Sequence, residues 1–343
     1  MDSPRQSFTG NYAPIIIGVF LCLLTSHCRE AQRFTETWVN LPETERNHDN
    51  GYSDDGSASA SAVTSQQPGH DDPTRFLAYN LKNYLTMRRY VDGKAVYRHK
   101  PQEEIDALIE IISSAKPDIL GLCEIGTHAD LEDLQKRLKT AGINLPHSHR
   151  VSGSDRTRAL GLLSRYPIVS TGKPQKTNYT IGGAPFTISR GILDTTVQLP
   201  HKSIRLLGIH FKSKRPVPDA DQALMRRNES LLLRKHIEDI LRRQSDTPLL
   251  VYGDFNDTRN SKSVSSVRGR SNSSAHMKII ELLDKRGQSW THHWKHEDIY
   301  SRIDFVMTNS VLEPFIKKEA CKLLDPENWE TASDHRPMLI VIE

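Results

Sequence analysis

The chain predicts an α/β domain with helices outside a buried sheet system. Two observations carry that expectation. Strand-like and helix-like patterns alternate from Thr74 to the carboxyl end, and several short runs are apolar at every residue, as strands covered on both faces are. A third observation points to function. Polar residues repeatedly emerge where apolar runs stop, which is where α/β folds place their chemistry.

The elements follow in order. Arg75 to Tyr79 reads as a strand ending at Asn80. Pro101 opens a helix, with Glu103 and Glu104 in the first turn where the macrodipole favours carboxylates. Ile105, Leu108, Ile109 and Ile112 recur at helical spacing until Lys116-Pro117-Asp118 stops them. Ile119 to Cys123 is wholly apolar and ends at Glu124. Leu131, Leu134 and Leu138 mark a second helix, closed by Gly142. Strands are expected at 159–164, 192–199 and 204–211, then a long helix over about 220–243 through Leu224, Leu231, Leu232, Ile237 and Leu241. Further strands are expected at 248–252, 303–308 and 338–342. Thr258 to His276 carries Arg259, Lys262, Arg268 and Arg270 among serines, with little apolar area, and is expected to be a mobile basic loop.

Residues 13–24 form an uncharged stretch behind Arg5, of the length of a secretory h-region and short for a membrane span. Leu24 to Cys28 approaches a lipoprotein box, but His27 stands where a small residue belongs. Residues 1–31 are therefore read as a signal peptide or hydrophobic targeting segment, with export expected and an uncleaved anchor as the alternative. Residues 32–73 are small, polar and aperiodic, the composition of a disordered linker. A catalytic domain is expected over 74–343. Of its cysteines, Cys123 lies inside an apolar strand and Cys321 stands apart, so neither a disulfide framework nor a zinc spacing is present.

The formal net charge is +4 over 343 residues, yet residues 1–73 hold four arginines against ten carboxylates, leaving +10 on the remainder. A basic domain favours polyanions, with nucleic acid the first choice and an anionic membrane the second. With no run of five like charges, that balance by itself also fits simple solubility. A monomer with no obligate protein partner is expected.

Three acidic clusters, Val251 to Asp257, Ser301 to Asp304 and Ser333 to Pro337, together with Glu124, concentrate the chemistry. Glu124 ends a buried apolar strand, where an ionised carboxylate is costly without a partner, and a divalent cation is such a partner. Asn80, at a neighbouring strand end, orients it or touches the same ion. Gly253-Asp254-Phe255-Asn256-Asp257 places Asp254 and Asn256 two residues apart, on one face of an extended segment. A carboxylate there can position or deprotonate water, and an amide can donate to a phosphoryl oxygen. Asp334-His335 offers a second metal-side carboxylate and a general acid or base, with Asp304 as the neighbour that raises the imidazole pKa. His210 ends another apolar run and precedes Lys212, Lys214 and Arg215, which suits a phosphate-side electrophile. His292, His293 and His296 show no metal spacing and are read as surface.

Taken in order, Asn80, Glu124, His210, Asp254-x-Asn256, Asp304 and Ser333-Asp334-His335 resemble the endonuclease/exonuclease/phosphatase superfamily, the DNase I-like fold. Leu163 to Ile168, and Trp290-Thr291 ahead of Ser301 to Asp304, resemble segments of the same family. The resemblance covers roughly 75–343. It implies a four-layer α/β sandwich, two packed mixed sheets flanked by helices, and hydrolysis of phosphate esters with Mg²⁺ or Mn²⁺. It also implies roles: Glu124, Asn80 and Asp334 at the metal, and His210, Asp254, Asn256, Asp304 and His335 in catalysis. Arg190, Lys212, Lys214, Arg215, Arg259 and Arg302 are the candidate substrate-binding cations. Family nucleases also partner the second histidine with a glutamate, and none stands in the stretch Asp155 to Gly161. The expected activity is a nuclease acting on nucleic acid. The alternatives are a phosphatase or lipid phosphodiesterase of sphingomyelinase or phosphoinositide type and, from another class, an inactive binding module.

Overall fold

The computed structural model of the chain describes residues 72–343; the expected targeting segment, and the expected linker up to residue 71, lie outside the described residues. Two six-stranded sheets form the frame. In the first, the order is Lys322–Leu323, Met338–Ile342, Thr74–Tyr84, Ile119–Ile125, Ala159–Ser164 and His147–Val151. In the second it is Lys278–Ile279, Asp304–Thr308, Leu249–Asp254, Ser203–His210, Ile192–Gln198 and Ile168–Thr171. Both are mixed: Thr74–Tyr84 runs parallel to Ile119–Ile125, and Ser203–His210 parallel to Leu249–Asp254, among antiparallel neighbours.

Side-chain alternation builds the layers. Phe76 and Ala78 face the second sheet, where Leu250, Tyr252 and Val306 meet them. Leu77 and Tyr79 point the other way, onto the helices Gln102–Ala115 and His128–Thr140. On the far side, Leu207, Val251 and Phe305 pack with Leu233 and Ile237 of the helix Gln222–Arg243 and with Val264 and Val267 of Lys262–Arg268. The result is the expected four-layer sandwich. Central strands are covered on both faces, which is why their sequences are nearly unbroken apolar runs. The sheets approach closely over Tyr252, whose ring lies where a Cβ on Gly121 would stand.

Two expectations change. The strand expected to stop at Asn80 runs on to Tyr84 through a register shift. The segment expected to be a loop between Thr258 and His276 holds the helix Lys262–Arg268, with Ser261 as N-cap. Its small apolar face suffices because the Arg234 guanidinium, from the long helix, donates to the carbonyls of Val267, Arg268 and Ala275. Lys262 and Arg270 remain exposed.

Candidate active site

The same alternation that builds the inner core delivers the site. Leu250, Tyr252 and Asp254 share the inner face of their strand, as do Val306 with Asp304 and Phe76 and Ala78 with Asn80. At one end of the sandwich the inner face thus switches from apolar to polar. Register aligns the switch across strands: His210 pairs with Asp254, and Asp254 with Asp304. His210, Asp254 and Asp304 are buried, as is Asn80. Gly253 makes this approach possible. Its φ is +133°, and a Cβ there would collide with the Ile209 carbonyl.

Glu124 reaches the cluster by breaking the pattern. Leu120 and Leu122 face the helices, so strict alternation would send Glu124 there too. Its φ of +64° and the register shift between Cys123 and Ile125 re-aim it. The carboxylate accepts the Asn83 N–H at 2.8 Å and lies 3.9 Å from both His210 Nε2 and the Arg158 guanidinium.

Asp254 is the hub. Its Oδ2 accepts from the amides of Asn80 and Asn256, each at 3.2 Å, and its Oδ1 accepts the Asn256 N–H at 2.7 Å. Burial, then the adjacent Asp304, pushes its pKa up to about 8. His335 Nδ1 meets Asp304 at 2.8 Å, while its Nε2 lies 3.4 Å from the Asn80 amide and 3.9 Å from both Asp254 and Asp334. Burial opposes the imidazolium, but Asp304, Asp254 and Asp334 outweigh it and raise His335 to about 10. His210 behaves oppositely. Burial, then Arg190 and His335, hold it well below the usual imidazole range, so it is neutral near pH 7. Its Nε2 stands 3.5 Å from Asp254, and its Nδ1 has no hydrogen-bond partner among the described residues. That orphan nitrogen matches the absence of a glutamate in the preceding stretch. Asp155, which lies there, pairs with Arg190 at 3.3 Å instead.

The histidines read as surface need correcting. His292 is half-buried; its ring lies 4.6 Å from that of His335, to which its backbone is bridged, and burial, then the His335 charge, drives it down to about 4. His293 is buried against Asp298, Glu330 and the Tyr300 ring; His296 is exposed as expected. Sequence reasoning also passed over Arg336. Its buried guanidinium pairs with Asp284 at 2.7 Å and lies 4.0 Å over Trp290, which fixes the turn carrying Asp334 and His335. Thr291 completes the frame by accepting the N–H groups of Ile303 and Asp304.

The candidate substrate cations divide. Arg190 is buried, paired with Asp155 and donating to the Phe211 carbonyl. Arg259 and Arg302 both pair with Glu281. Lys212 is half-buried, its backbone N–H held by Glu229, and Lys214 and Arg215 are exposed and form no ion pair among the described residues.

The donor set fits a hard divalent cation. Glu124 and Asp334 are carboxylates only partly covered, and burial tends to raise Asp334, but His335, Lys82 and His292 hold it below the usual range. Asp254, Asp304 and His335 also bring ligand-capable atoms within 4.8 Å of one another, as do His292, Asp334 and His335. Asn80 commits its amide nitrogen to Asp254 and its oxygen to the Lys82 N–H, so it orients the cluster first.

Two mixed sheets packed face to face, with a carboxylate–imidazole cluster at one end of their shared core, form the DNase I-like fold. The chain belongs to the endonuclease/exonuclease/phosphatase family, whose model matches residues 78–335. Members of that family are phosphoesterase hydrolases and typically use divalent metals. Solved structures share the fold. The catalytic domain of human Nocturnin, with a bound sulfate anion, is 17% identical with a TM-score of 0.55, over 79% of this chain and 94% of that one. The 3′ phosphatase NExo from Neisseria, bound to a product DNA hairpin, is 14% identical with a TM-score of 0.53, over 79% and 99%. Sphingomyelinase C from Streptomyces griseocarneus is 14% identical with a TM-score of 0.51, over 79% and 99%. No curated protein matches the chain.

Proposed function

We propose that this chain is a Mg²⁺- or Mn²⁺-dependent phosphodiesterase acting on nucleic acid, exported as a monomer. The observation that carries the chemistry is the buried row His210, Asp254 and Asp304, closed by His335 on Asp304. Asp254, held by Asn80 and Asn256 between His210 and Asp304, is placed to take a proton from an attacking water. Asn256 aligns that carboxylate. His335, kept charged by Asp304, stabilises negative charge developing on the phosphoryl group and can return a proton to the leaving oxygen. Neutral His210 donates a hydrogen bond from the opposite side. Glu124 and Asp334 would hold the cation, which when bound supplies Lewis-acid polarisation of a phosphoryl oxygen.

The substrate class rests on charge. Lys214 and Arg215 are exposed just past the His210 strand, and the domain as a whole is strongly basic. The Neisseria phosphatase, similar in fold, was solved with DNA. One observation favours a second reading, a lipid phosphodiester. The hairpin His292–Trp294/Ile299–Ser301, rooted at His335, exposes Trp294, Ile299 and Tyr300.

The test is hydrolysis of DNA, RNA, a small chromogenic phosphodiester, a phosphomonoester and phospholipid vesicles, each with Mg²⁺, Mn²⁺ or chelator. Metal-dependent cleavage of DNA or RNA is expected. Turnover of vesicles alone would move the assignment to lipid.

A further inference from the structure

Between Tyr84 and Lys100 the chain makes a hairpin, Met87–Val91 with Lys94–Arg98, that pairs only with itself and joins neither main sheet. The turn is tight, with Asp92 and Gly93 both at positive φ, as a two-residue hairpin turn of type I′ requires. Every residue of Lys94–Arg98 is exposed. Tyr90 and Tyr97 are 72% and 80% exposed, so neither stabilises the core.

Register places the unusual residues together. Arg88 stands opposite Tyr97, and Tyr90, two residues on, shares the Arg88 face. The Arg88 guanidinium lies 5.6 Å from the Tyr90 ring. The hairpin carries Arg88, Arg89, Lys94 and Arg98 against the single carboxylate of Asp92. Its root is fastened to the active site. Arg89 donates to the carbonyls of Asn83 and Leu85, the Asn83 N–H donates to Glu124, and buried Lys100 holds the Lys82 carbonyl.

We propose that the Arg88–Tyr90–Tyr97 face binds single-stranded nucleic acid, with bases stacked on the tyrosines and phosphates on the arginine, and leads the strand toward Glu124. The inference rests on the nucleic-acid reading above and adds the form of the substrate. Exposed aromatic rings interleaved with cations suit unstacked bases, whereas a duplex presents its bases already stacked. A membrane suits this hairpin poorly, because its tip carries Asp92 and Lys94 where an inserted tip needs apolar side chains.

The test uses the full chain with His335→Ala, so that substrate survives, in Mg²⁺. Affinity is measured for a short single-stranded oligonucleotide, the same sequence as a blunt duplex, and anionic phospholipid vesicles, with and without Tyr90→Thr plus Tyr97→Thr. Threonine keeps strand propensity, and turnover of a small phosphodiester by the same pair with His335 intact reports whether the site is folded. Single-strand affinity is expected to fall at least about tenfold, with little change for duplex. Unchanged single-strand binding overturns the inference, as does equal loss on duplex. Loss confined to vesicles overturns it in favour of a membrane arm. A parent that binds no oligonucleotide sinks the nucleic-acid reading and the hairpin with it, whereas a parent that binds and a double variant that binds equally sink the hairpin alone.

Discussion

Asp304 and His335 meet at 2.8 Å with both side chains buried, so they should act as one unit. Asp304→Asn, His335→Ala and the double variant are each expected to lower turnover by about 10²–10⁴-fold, with the double no worse than the more severe single. Multiplicative losses would show two independent roles. The same contact makes stability depend on pH. Burial works against charge on His335, but Asp304 and its neighbours raise the group to about 10, whereas an unfolded histidine titrates near about 6.5. The folded chain therefore keeps a proton that the unfolded chain has released. The contribution is complete below about pH 6.5 and is lost as pH rises through about 10. Asp254, raised to about 8 by burial and Asp304, adds a decline that starts lower, near about pH 4, and is complete by about pH 8. Denaturant midpoints in chelator should fall between pH 6.5 and 10 in the wild type and fall less in Asp304→Asn; parallel curves would contradict the coupling. At this scale Asp254, Asp304 and His335 were legible because each ends or begins an apolar run. His292 was not, because an imidazole between Thr291 and Trp294 carries no mark of the fold that brings it against His335.

The elements that position the site divide in the same way. Buried strands announced themselves by composition, and the expected limits at 159–164 and 338–342 coincide with the strands Ala159–Ser164 and Met338–Ile342. The hairpins and the edge strand His147–Val151 lack an apolar run, and the helix Lys262–Arg268 shows only two buried valines beside Ser263. Its stability comes from Arg234, which is 28 positions before Lys262 in the chain, and from packing that sequence periodicity does not register. The turn bearing Asp334 and His335 depends similarly on a distant partner. Asp284→Ala would leave the buried Arg336 with only Asp325, at 3.6 Å, as a carboxylate partner. A loss of about 3 kcal/mol in denaturant unfolding is expected, together with reduced turnover. A change under about 0.5 kcal/mol would show that the turn is held without this pair.

At the scale of the molecule, the order of the motifs carries the family resemblance, and the sandwich it implies is the fold observed. Strand parity explains why: a residue that continues the inner face beyond the last apolar position emerges where the two sheets share an end. Glu124 is the exception, since its left-handed backbone could not be read from an apolar run followed by a carboxylate. That makes Glu124 the sharpest test of the site as a whole, because it contributes neither to the core nor to the His335–Asp304 pair. The measurement is turnover of a small phosphodiester against Mg²⁺ and Mn²⁺ concentration, for the wild type and Glu124→Ala, with thermal unfolding as a check on the fold. The wild type should be inactive in chelator, and Glu124→Ala should lose about a hundredfold or more of its turnover while unfolding like the wild type in the absence of metal. Full activity in chelator, or a folded Glu124→Ala with near-wild-type turnover, would contradict the proposed metal-dependent site.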